Sequence, residues 1–378
     1  MRKGFAGLLL IAIIASVLFS LRAYNKEPLY HSQSYVFGTL VDISIYGESE
    51  QRAKSLSNQV LQDFQRLNNQ LHAWKPVNNN QPSELGALNA AFAAGKQPIA
   101  ISPQLVDMLV NATALSVKSH GMFNPAIGHL IGTWGFQRDE FSAVVINDEK
   151  IKALVKSKPR MTDIVITNNT AYSNNPNVKL DLGGYAKGYA LDMAAHYLRQ
   201  QKVKNALINI GGNIIAIGQH GNKPWRVGIQ HPRKPAAIAT LDLVDGWAIG
   251  TSGDYQRYFI LNGKRYCHII DPRNGYPVQH TQAVTVLIPP QPGAGVLSDV
   301  ASKPIFIAPV ADKAKAAANM GIQYFMVIAQ QPISQRSNGQ QPNAEQSNIL
   351  VSPALAKKLD WLDSDVKNNS HVKVLTLR

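Results

Sequence analysis

An Asn-Gly dipeptide between two runs, Tyr255–Leu261 and Lys264–Ile270, is the strongest folding instruction in this 378-residue chain. Asn262 and Gly263 tolerate the positive φ angles of a two-residue type I′ turn, so the flanking runs are predicted to pair as an antiparallel hairpin. Side chains alternate along such strands. Tyr266, His268 and Ile270 then share one face, and Arg265, Cys267 and Ile269 the other. Cys267 and His268 therefore cannot form a nucleophile–base dyad, and Cys267 reads as an ordinary small residue. As the chain's one cysteine, it also excludes an intramolecular disulfide and a cysteine-built zinc site.

Elsewhere strand and helix periods follow one another without the alternation of a doubly wound sheet. Leu40–Tyr46 alternates apolar and polar residues, a half-buried strand. From Ser49 to Leu71 apolar residues recur at helical spacing through Ala53, Leu56, Val60, Leu61, Phe64 and Leu67. Lys75–Ser83, rich in Asn and Pro, is a loop. Ser102 is placed to cap a helix running from Pro103 to about Ser119. Short strands and helices in mixed order follow residue 140, so the expected fold class is α+β, mixed sheets with helices. Residues 329–347, rich in Gln, Asn and Ser, read as a flexible insertion. Hydrophobic residues make up 45% of the chain, enough for a packed core and wrong for a disordered one.

Arg2 and Lys3 precede an uncharged run, Gly4–Leu21, rich in Leu, Ile, Ala and Val. At about 1.5 Å per residue it makes roughly 27 Å of helix, enough to cross a bilayer core. No A-x-A-like site follows, which favours a signal anchor over a cleaved signal peptide across residues 1–24. The basic start would stay cytoplasmic, placing the rest on the periplasmic side of a bacterial inner membrane. Residues 25–34 read as a polar spacer.

Lys and Arg number 38 against 24 Asp and Glu, a net charge of +14, yet charged residues are only 16% of the chain. The excess reflects scarce acids; it favours anionic partners, while no dense basic run marks a nucleic-acid groove. Lys179-Leu-Asp181-Leu-Gly183-Gly184-Tyr-Ala186-Lys187-Gly188 reads as a short strand entering a helix through paired glycines, with Ala186, Ala190, Met193, Ala194 and Tyr197 as the helix's apolar stripe. Such glycines let backbone N–H groups approach an anion at the positive helix end, and Lys187 adds a mobile charge. The same turn also serves as a plain structural device, and it is neither a Walker A loop nor GxGxxG. A second glycine pair lies in Asn209-Ile-Gly211-Gly212-Asn213. Trp225–Pro232, Thr251-Ser252-Gly253-Asp254-Tyr255 and His268–Pro277 follow. Together these segments offer small, hydroxyl and amide groups suited to a phosphorylated, planar ligand.

The ordered set resembles the FAD:protein FMN transferase family, also called ApbE, over nearly everything from Tyr35 to Ala308. Phe37-Gly38-Thr39 is similar to the family's Met-Gly-Thr start. Trp74 and Ser83-Glu84 through Asn89 resemble its aromatic and Ser-Glu…Leu-Asn segment. Phe123-Asn124-Pro125 through Trp134-Gly135-Phe136 resembles its Phe-Asp-Pro…Trp-Gly-Phe stretch. The resemblance implies an ApbE-like, T-fold-like domain over residues 35–365 that binds flavin in a central cleft. It also implies FAD as substrate, magnesium as cofactor, and transfer of the FMN half onto a Thr or Ser hydroxyl of a target flavoprotein, releasing AMP. The acceptor would belong to an exported or membrane redox system. FAD-binding positions implied are Phe37, Gly38, Thr39, Trp74, Asp181, Gly183, Gly184, Lys187, Gly212, Thr251, Ser252, Gly253, Tyr255, His268 and Ile270. Lys187, Gly183 and Gly184 would hold phosphate, and Trp74 would stack on adenine. The metal would lie at the carbonyl of Ala186, at Asp299 and at a hydroxyl four residues on. His268 is the candidate for proton transfer, with a structural histidine as its alternative.

The departures bear on chemistry. Lys303 stands where the family's Asp-x-x-x-Thr pattern has its hydroxyl. Asn213 and Asn124 replace aspartates, His231 takes an Asp-like position, and Phe37 replaces Met. A protonated lysine has three donors and no acceptor, so it cannot ligate magnesium. Asp299 and Lys303, four apart, are expected to pair on a helix turn, with the ammonium in the vacated metal position; Ser302 is the other ligand candidate. An FAD-binding carrier or accessory protein without efficient transfer is the alternative function, and a role unrelated to flavin is the third.

Overall fold

The computed structural model of the protein describes residues 28–76, 81–138, 140–330, 347–362 and 372–375. The apolar run at residues 4–21 and most of the Gln/Asn/Ser-rich segment lie outside these. The chain opens with β1 (Leu29–Val36) and β2 (Thr39–Tyr46), then α1 (Glu50–Gln70), α2 (Glu84–Ala94), β3 (Ile99–Ala100) and α3 (Pro103–Lys118). Next come α4 (Gly128–Thr133), α5 (Asp148–Lys156), β4 (Ile164–Thr167), β5 (Thr170–Ser173) and α6 (Ala186–Gln200). A run of strands follows: β6 (Asn205–Ile210), β7 (Asn213–Ile217), β8 (Trp225–Gln230), β9 (Ala237–Leu243), β10 (Ala248–Gly253), β11 (Tyr258–Leu261), β12 (Lys264–Cys267) and β13 (Thr281–Ile288). The last elements are α7 (Ala294–Ile307), α8 (Lys313–Asn319), β14 (Tyr324–Gln330), β15 (Ser347–Val351), α9 (Pro353–Ala356), β16 (Asp360–Trp361) and β17 (Val372–Val374).

Among the described residues, nine strands form one sheet in the order β1-β2-β6-β7-β10-β13-β14-β15-β17. Its pairs are antiparallel except β15–β17, as an α+β fold requires. Helices cover one face, where Phe64, Met108, Leu191 and Val300 pack on Ile43, Ile208, Val284 and Phe325. The small sheet β16-β9-β8 covers part of the other, with Trp225 and Leu241 against Ile249, Leu287 and Met326. β13 lies between the two layers and is buried at every position. Each large aliphatic side chain so enclosed contributes about 1.5–3 kcal/mol of transfer free energy. A third, aromatic cluster joins α4 and α5 to the β11–β12 hairpin through Trp134, Phe136, Phe259 and Ile270.

Local signals account for the helix starts. Ser49 accepts from Arg52 N and Ser102 from Leu105 N, with Pro103 in the first turn of α3. Asn262 and Gly263 have φ of 51° and 71°, and the strands they join face Cys267 and Ile269 into the main core and Tyr266 and Ile270 into the aromatic one. The strands are shorter than expected: His268 N still donates to Arg257 O, but beyond it the chain turns to a new partner, with Val278 N donating to Ile269 O and Ile270 bridging to Pro277.

Four expectations change. Leu29–Ser34, read as spacer, belongs to β1: this is an edge strand whose polar side chains pair across to β2, His31 with Ser44 (3.1 Å) and Gln33 with Asp42 (2.5 Å). At the other end, β17 lies past residue 365 and pairs with β15, extending the fold beyond the expected boundary. The short strand before α6 reduces to one bridge, Ile127 with Lys179, because the amide of Asn89 takes both the N–H (2.6 Å) and the C=O (2.9 Å) of Leu180. Ala329, Gln330 and Ser347 belong to β14 and β15, so the insertion is narrower than read.

Candidate active site

Sheet register brings three glycine-bearing segments to one end. Phe37-Gly38 turns β1 into β2 with φ of 56° and 69°, and Gly211-Gly212 turns β6 into β7 with φ of 57° and 91°. The pairing of Val41 with Ile210 sets Thr39 beside the second turn, so close that a Cβ on Gly211 would lie 2.4 Å from Thr39 Oγ1. Ile249 pairs with Ile214, which carries Thr251, Ser252 and Gly253 past the same turn. Asn213 is 2% exposed, and its Nδ2 donor has no protein partner among the described groups.

The entry to α6 is set by Asp181. One carboxylate oxygen accepts Trp74 Nε1 at 2.8 Å and the other accepts Gly183 N at 2.8 Å, fixing both the indole and the turn. Lys179 Nζ sits 4.1 Å above the Trp74 ring, a cation–π contact. Gly183 is exposed, which leaves its side of the turn open.

Helices α6 and α7 then meet backbone to backbone. A Cβ on Gly188 would stand 2.4 Å from Gly295 O, and one on Gly295 would stand 2.5 Å from Gly188 O. Gly188 is therefore a packing residue. That approach lets Asp299 on α7 accept Gly188 N at 3.1 Å. Lys303 Nζ donates to Asp299 Oδ1 and to Asp299 O, each at 2.6 Å, and Lys187 Nζ lies 3.5 Å from the same Oδ1. The pairing expected at (i, i+4) spacing is present. Burial pushes the Asp299 carboxyl up, but Lys187, Lys303 and Gly188 N outweigh it and hold the group well below the usual carboxylate range. Desolvation pulls the Lys303 ammonium down from its ordinary value, opposed by Asp299 and assisted by Lys187. Asp299 is 2% exposed, while the side chains of Lys303 and Lys187 are 17% and 23% exposed. A ligand arriving here meets ammonium before carboxylate. Ser302 faces away, donating to Asp299 O (2.8 Å) and bonding Ser252 Oγ (2.7 Å).

His268 lies beside this cluster, its Nδ1 3.2 Å from Arg257 O, which places the proton on Nδ1 and leaves Nε2 the acceptor. Desolvation, with Arg257, Lys187 and Lys303, pushes its pKa down to about 3. Tyr255 packs over Gly253, and burial beside Asp254 raises its phenol to about 12. Ile270, proposed as a ligand contact, has its side chain enclosed in the aromatic core. Cys267 is 1% exposed with its thiol raised to about 12 by burial, an inert group.

Residues 37–326 match the sequence profile of the ApbE family. The chain belongs to the ApbE family. An FAD:protein FMN transferase of Rhodobacter capsulatus is 38% identical over 294 residues, 78% of this chain; the match spans 54% of that longer protein. One from Klebsiella pneumoniae is 32% identical over 70% of this chain and 78% of its own length. Among solved structures, the ApbE protein of Thermotoga maritima superposes with a TM-score of 0.70 at 27% identity, over 80% of this chain and 94% of that one. The flavin transferase ApbE of Vibrio cholerae, at 24% identity, shares the fold with a TM-score of 0.72 over 88% and 99%.

Against the ApbE pattern, two of the departures have local explanations. His231 does the work of an aspartate in a turn: its Nδ1 accepts Arg233 N (3.0 Å) and Lys234 N (3.1 Å). Asn124 accepts Ala126 N and donates to Pro159 O, which a carboxylate could not do. Several members of the site were not anticipated: Asp192, which accepts Gly295 N and Val296 N; the Arg233–Asp254 pair, closed by two 2.7 Å bonds; and Arg257. A carboxylate one helical turn after Gly188 was the available signal for Asp192; the others involve distant segments.

Proposed function

We propose that this ApbE-family chain transfers the FMN half of FAD onto a Thr or Ser hydroxyl of a target flavoprotein, releasing AMP. The observation that carries the reading is the Lys187–Asp299–Lys303 cluster at the glycine-paired entry to α6, beside a neutral His268, in a chain whose curated relatives bear that activity in their names. The acceptor oxygen attacks the FMN-side phosphorus, the bond to the AMP half breaks with its electron pair on AMP, and the hydroxyl proton passes to a base. Phosphoryl transfer of this kind asks the protein chiefly for positioning and counter-charge. Lys187, Lys303 and the amide at Gly184 supply both at the diphosphate; the Gly183 N–H, expected to join them, is taken by Asp181. His268 Nε2 takes the proton. Its basicity is suppressed first by burial and then by the three cations around it, and a bound diphosphate offsets the cations' share, raising the pKa. Phe37, Gly38, Thr39, Gly212, Thr251, Ser252, Gly253 and Tyr255 form the wall for the flavin half. The unsatisfied Asn213 Nδ2 suits a ligand oxygen, and Trp74 suits adenine.

Magnesium is the family's implied cofactor, and the donor set here does not fit it. Asp299 Oδ1 already faces two ammonium groups, Oδ2 accepts Gly188 N, and Lys303 offers only donors. No step is routed through a metal. Residues 4–21 support an inner-membrane anchor with the site on the periplasmic side, where an exported or membrane redox flavoprotein would be the acceptor.

The test is incubation of the full chain with FAD and an acceptor domain bearing a flavinylation hydroxyl. The expected result is acceptor carrying FMN in phosphoester linkage, by intact mass, with AMP released in equal amount. FAD bound without AMP release or labelled acceptor would overturn the reading.

A further inference from the structure

We infer that the Lys303 ammonium takes the place of a divalent cation, so that the FAD diphosphate is held by two fixed lysines and binds without metal. The inference rests on the FAD reading above and concerns how the same site binds its ligand. Three observations carry it. First, Lys303 is anchored: its Nζ makes 2.6 Å bonds to both the carbonyl and the carboxylate of Asp299. Second, the α6 entry is shaped around it. A Cβ on Gly184 would lie 2.7 Å from Lys303 Cε and 3.2 Å from Cδ, so the lysine stem occupies the space above the glycine. Third, Asp299 is sealed beneath two ammonium groups, with its carboxylate 2% exposed and the lysine side chains 17% and 23% exposed.

The charge arithmetic is consistent with this geometry. Asp299, Lys187 and Lys303 together carry one net positive charge, with the carboxylate spent on holding the lysines apart and in place. What they present to a diphosphate is two sets of N–H donors, which bind non-bridging oxygens through charge-assisted hydrogen bonds. A divalent ion approaching Asp299 would meet ammonium repulsion and find Lys303 without a lone pair to offer. A lysine also imposes no coordination geometry, so binding survives where metal is scarce.

The experiment is FAD binding by the full chain, followed through flavin fluorescence quenching in EDTA and again in excess magnesium chloride. The inference predicts Kd values within about twofold of each other. Lys303→Thr exchanges the donor for an oxygen ligand and is expected to lose about tenfold in EDTA and to recover with magnesium. Lys303→Met is expected to lose affinity in both, and Lys303→Arg to keep EDTA-resistant binding. FAD-induced thermal shifts on the same four proteins report whether each variant is folded. Wild-type binding that collapses in EDTA and returns with magnesium overturns the inference and leaves the function standing. Absence of FAD binding in either condition overturns the function and the inference with it.

Discussion

The close approach of α6 and α7 makes Gly188→Ala the sharpest probe of how the site is assembled. The new Cβ would fall 2.4 Å from Gly295 O, 2.7 Å from Val296 Cα and 2.8 Å from Gly295 C. Comfortable contact needs about 3.5 Å, so the helices must part by roughly 1 Å. Overpacking of this sort costs about 1–3 kcal/mol. The same displacement stretches the 3.1 Å bond from Gly188 N to Asp299 past bonding range, a loss of about 1.5–3 kcal/mol for a charged acceptor. Against this, alanine is better than glycine in a helix by up to about 1 kcal/mol. The clash wins, and the net loss is about 2–5 kcal/mol. Urea unfolding with linear extrapolation measures it, and FAD titration is expected to show a parallel weakening, because Lys187 and Lys303 ride on the two helices being separated. A Gly188→Ala protein as stable as wild type, with unchanged FAD affinity, would refute the argument.

Two further outcomes are expected. Lys313 is fully buried, with Nζ bonded to Thr281 Oγ1 (2.8 Å), Ile305 O (2.9 Å), Ala308 O (3.0 Å) and Phe306 O (3.2 Å). Lys313→Met strands those acceptors and is expected to cost about 1–3 kcal/mol at pH 7, read by urea unfolding. Burial pushes the Lys313 ammonium down to about 7, so between pH 7 and its unfolded value the unfolded chain holds the extra proton and stability rises with pH. That rise should be absent in Lys313→Met; equal slopes in both proteins would contradict it. His268, with its pKa pushed down to about 3, is expected to show no imidazole titration by NMR between pH 8 and 5 in the ligand-free protein. Its contribution to stability is lost as pH falls from 6.5 toward 3, because the unfolded imidazole protonates first; a midpoint near 6.5 in the folded protein would show that neither burial nor the three cations act on it.

What could be read from the sequence was whatever depends on neighbours a few residues apart. Ser49 and Ser102 announce their helices because a cap acts over three residues, and Asn262-Gly263 announces its hairpin because the turn needs two positive φ angles. The Asp299–Lys303 pair follows from helical spacing alone. The glycine pairs were legible as turns, but Gly188 looked like part of an anion loop when its hydrogen is needed by a helix more than a hundred residues away. The strand β1 was hidden because an edge strand is free to be polar, and its only sequence mark is complementarity to β2. Asn89 feeding both backbone groups of Leu180, and Lys313 as a buried cation, depend on tertiary partners that no local period encodes. Lysine is among the residues least expected in a core, and Lys313 is accommodated there by one hydroxyl and three carbonyl acceptors.

Those long-range contacts converge on α7. At its first turn Asp192 accepts Gly295 N (2.7 Å) and Val296 N (2.8 Å), placing a carboxylate at the positive end of the helix. At its last turn Lys313 takes the carbonyls of Ile305 and Phe306 and that of Ala308 just beyond, and His280 Nε2 reaches Ala308 O at 2.9 Å. Opposite charges therefore hold opposite ends of the one helix that carries Asp299, Ser302 and Lys303. This matters for a site in which lysine stands in for a metal. A free lysine side chain loses up to about 2 kcal/mol of rotamer entropy when a ligand orders it, and its charge would be poorly aimed at the transition state. Here the cost is met on folding: the helix is clamped, Asp299 is held by Gly188 N, and Lys303 is held by Asp299. The ammonium is thus fixed before the diphosphate arrives, and preorganised charge of this kind stabilises a transition state more than a mobile charge of equal size.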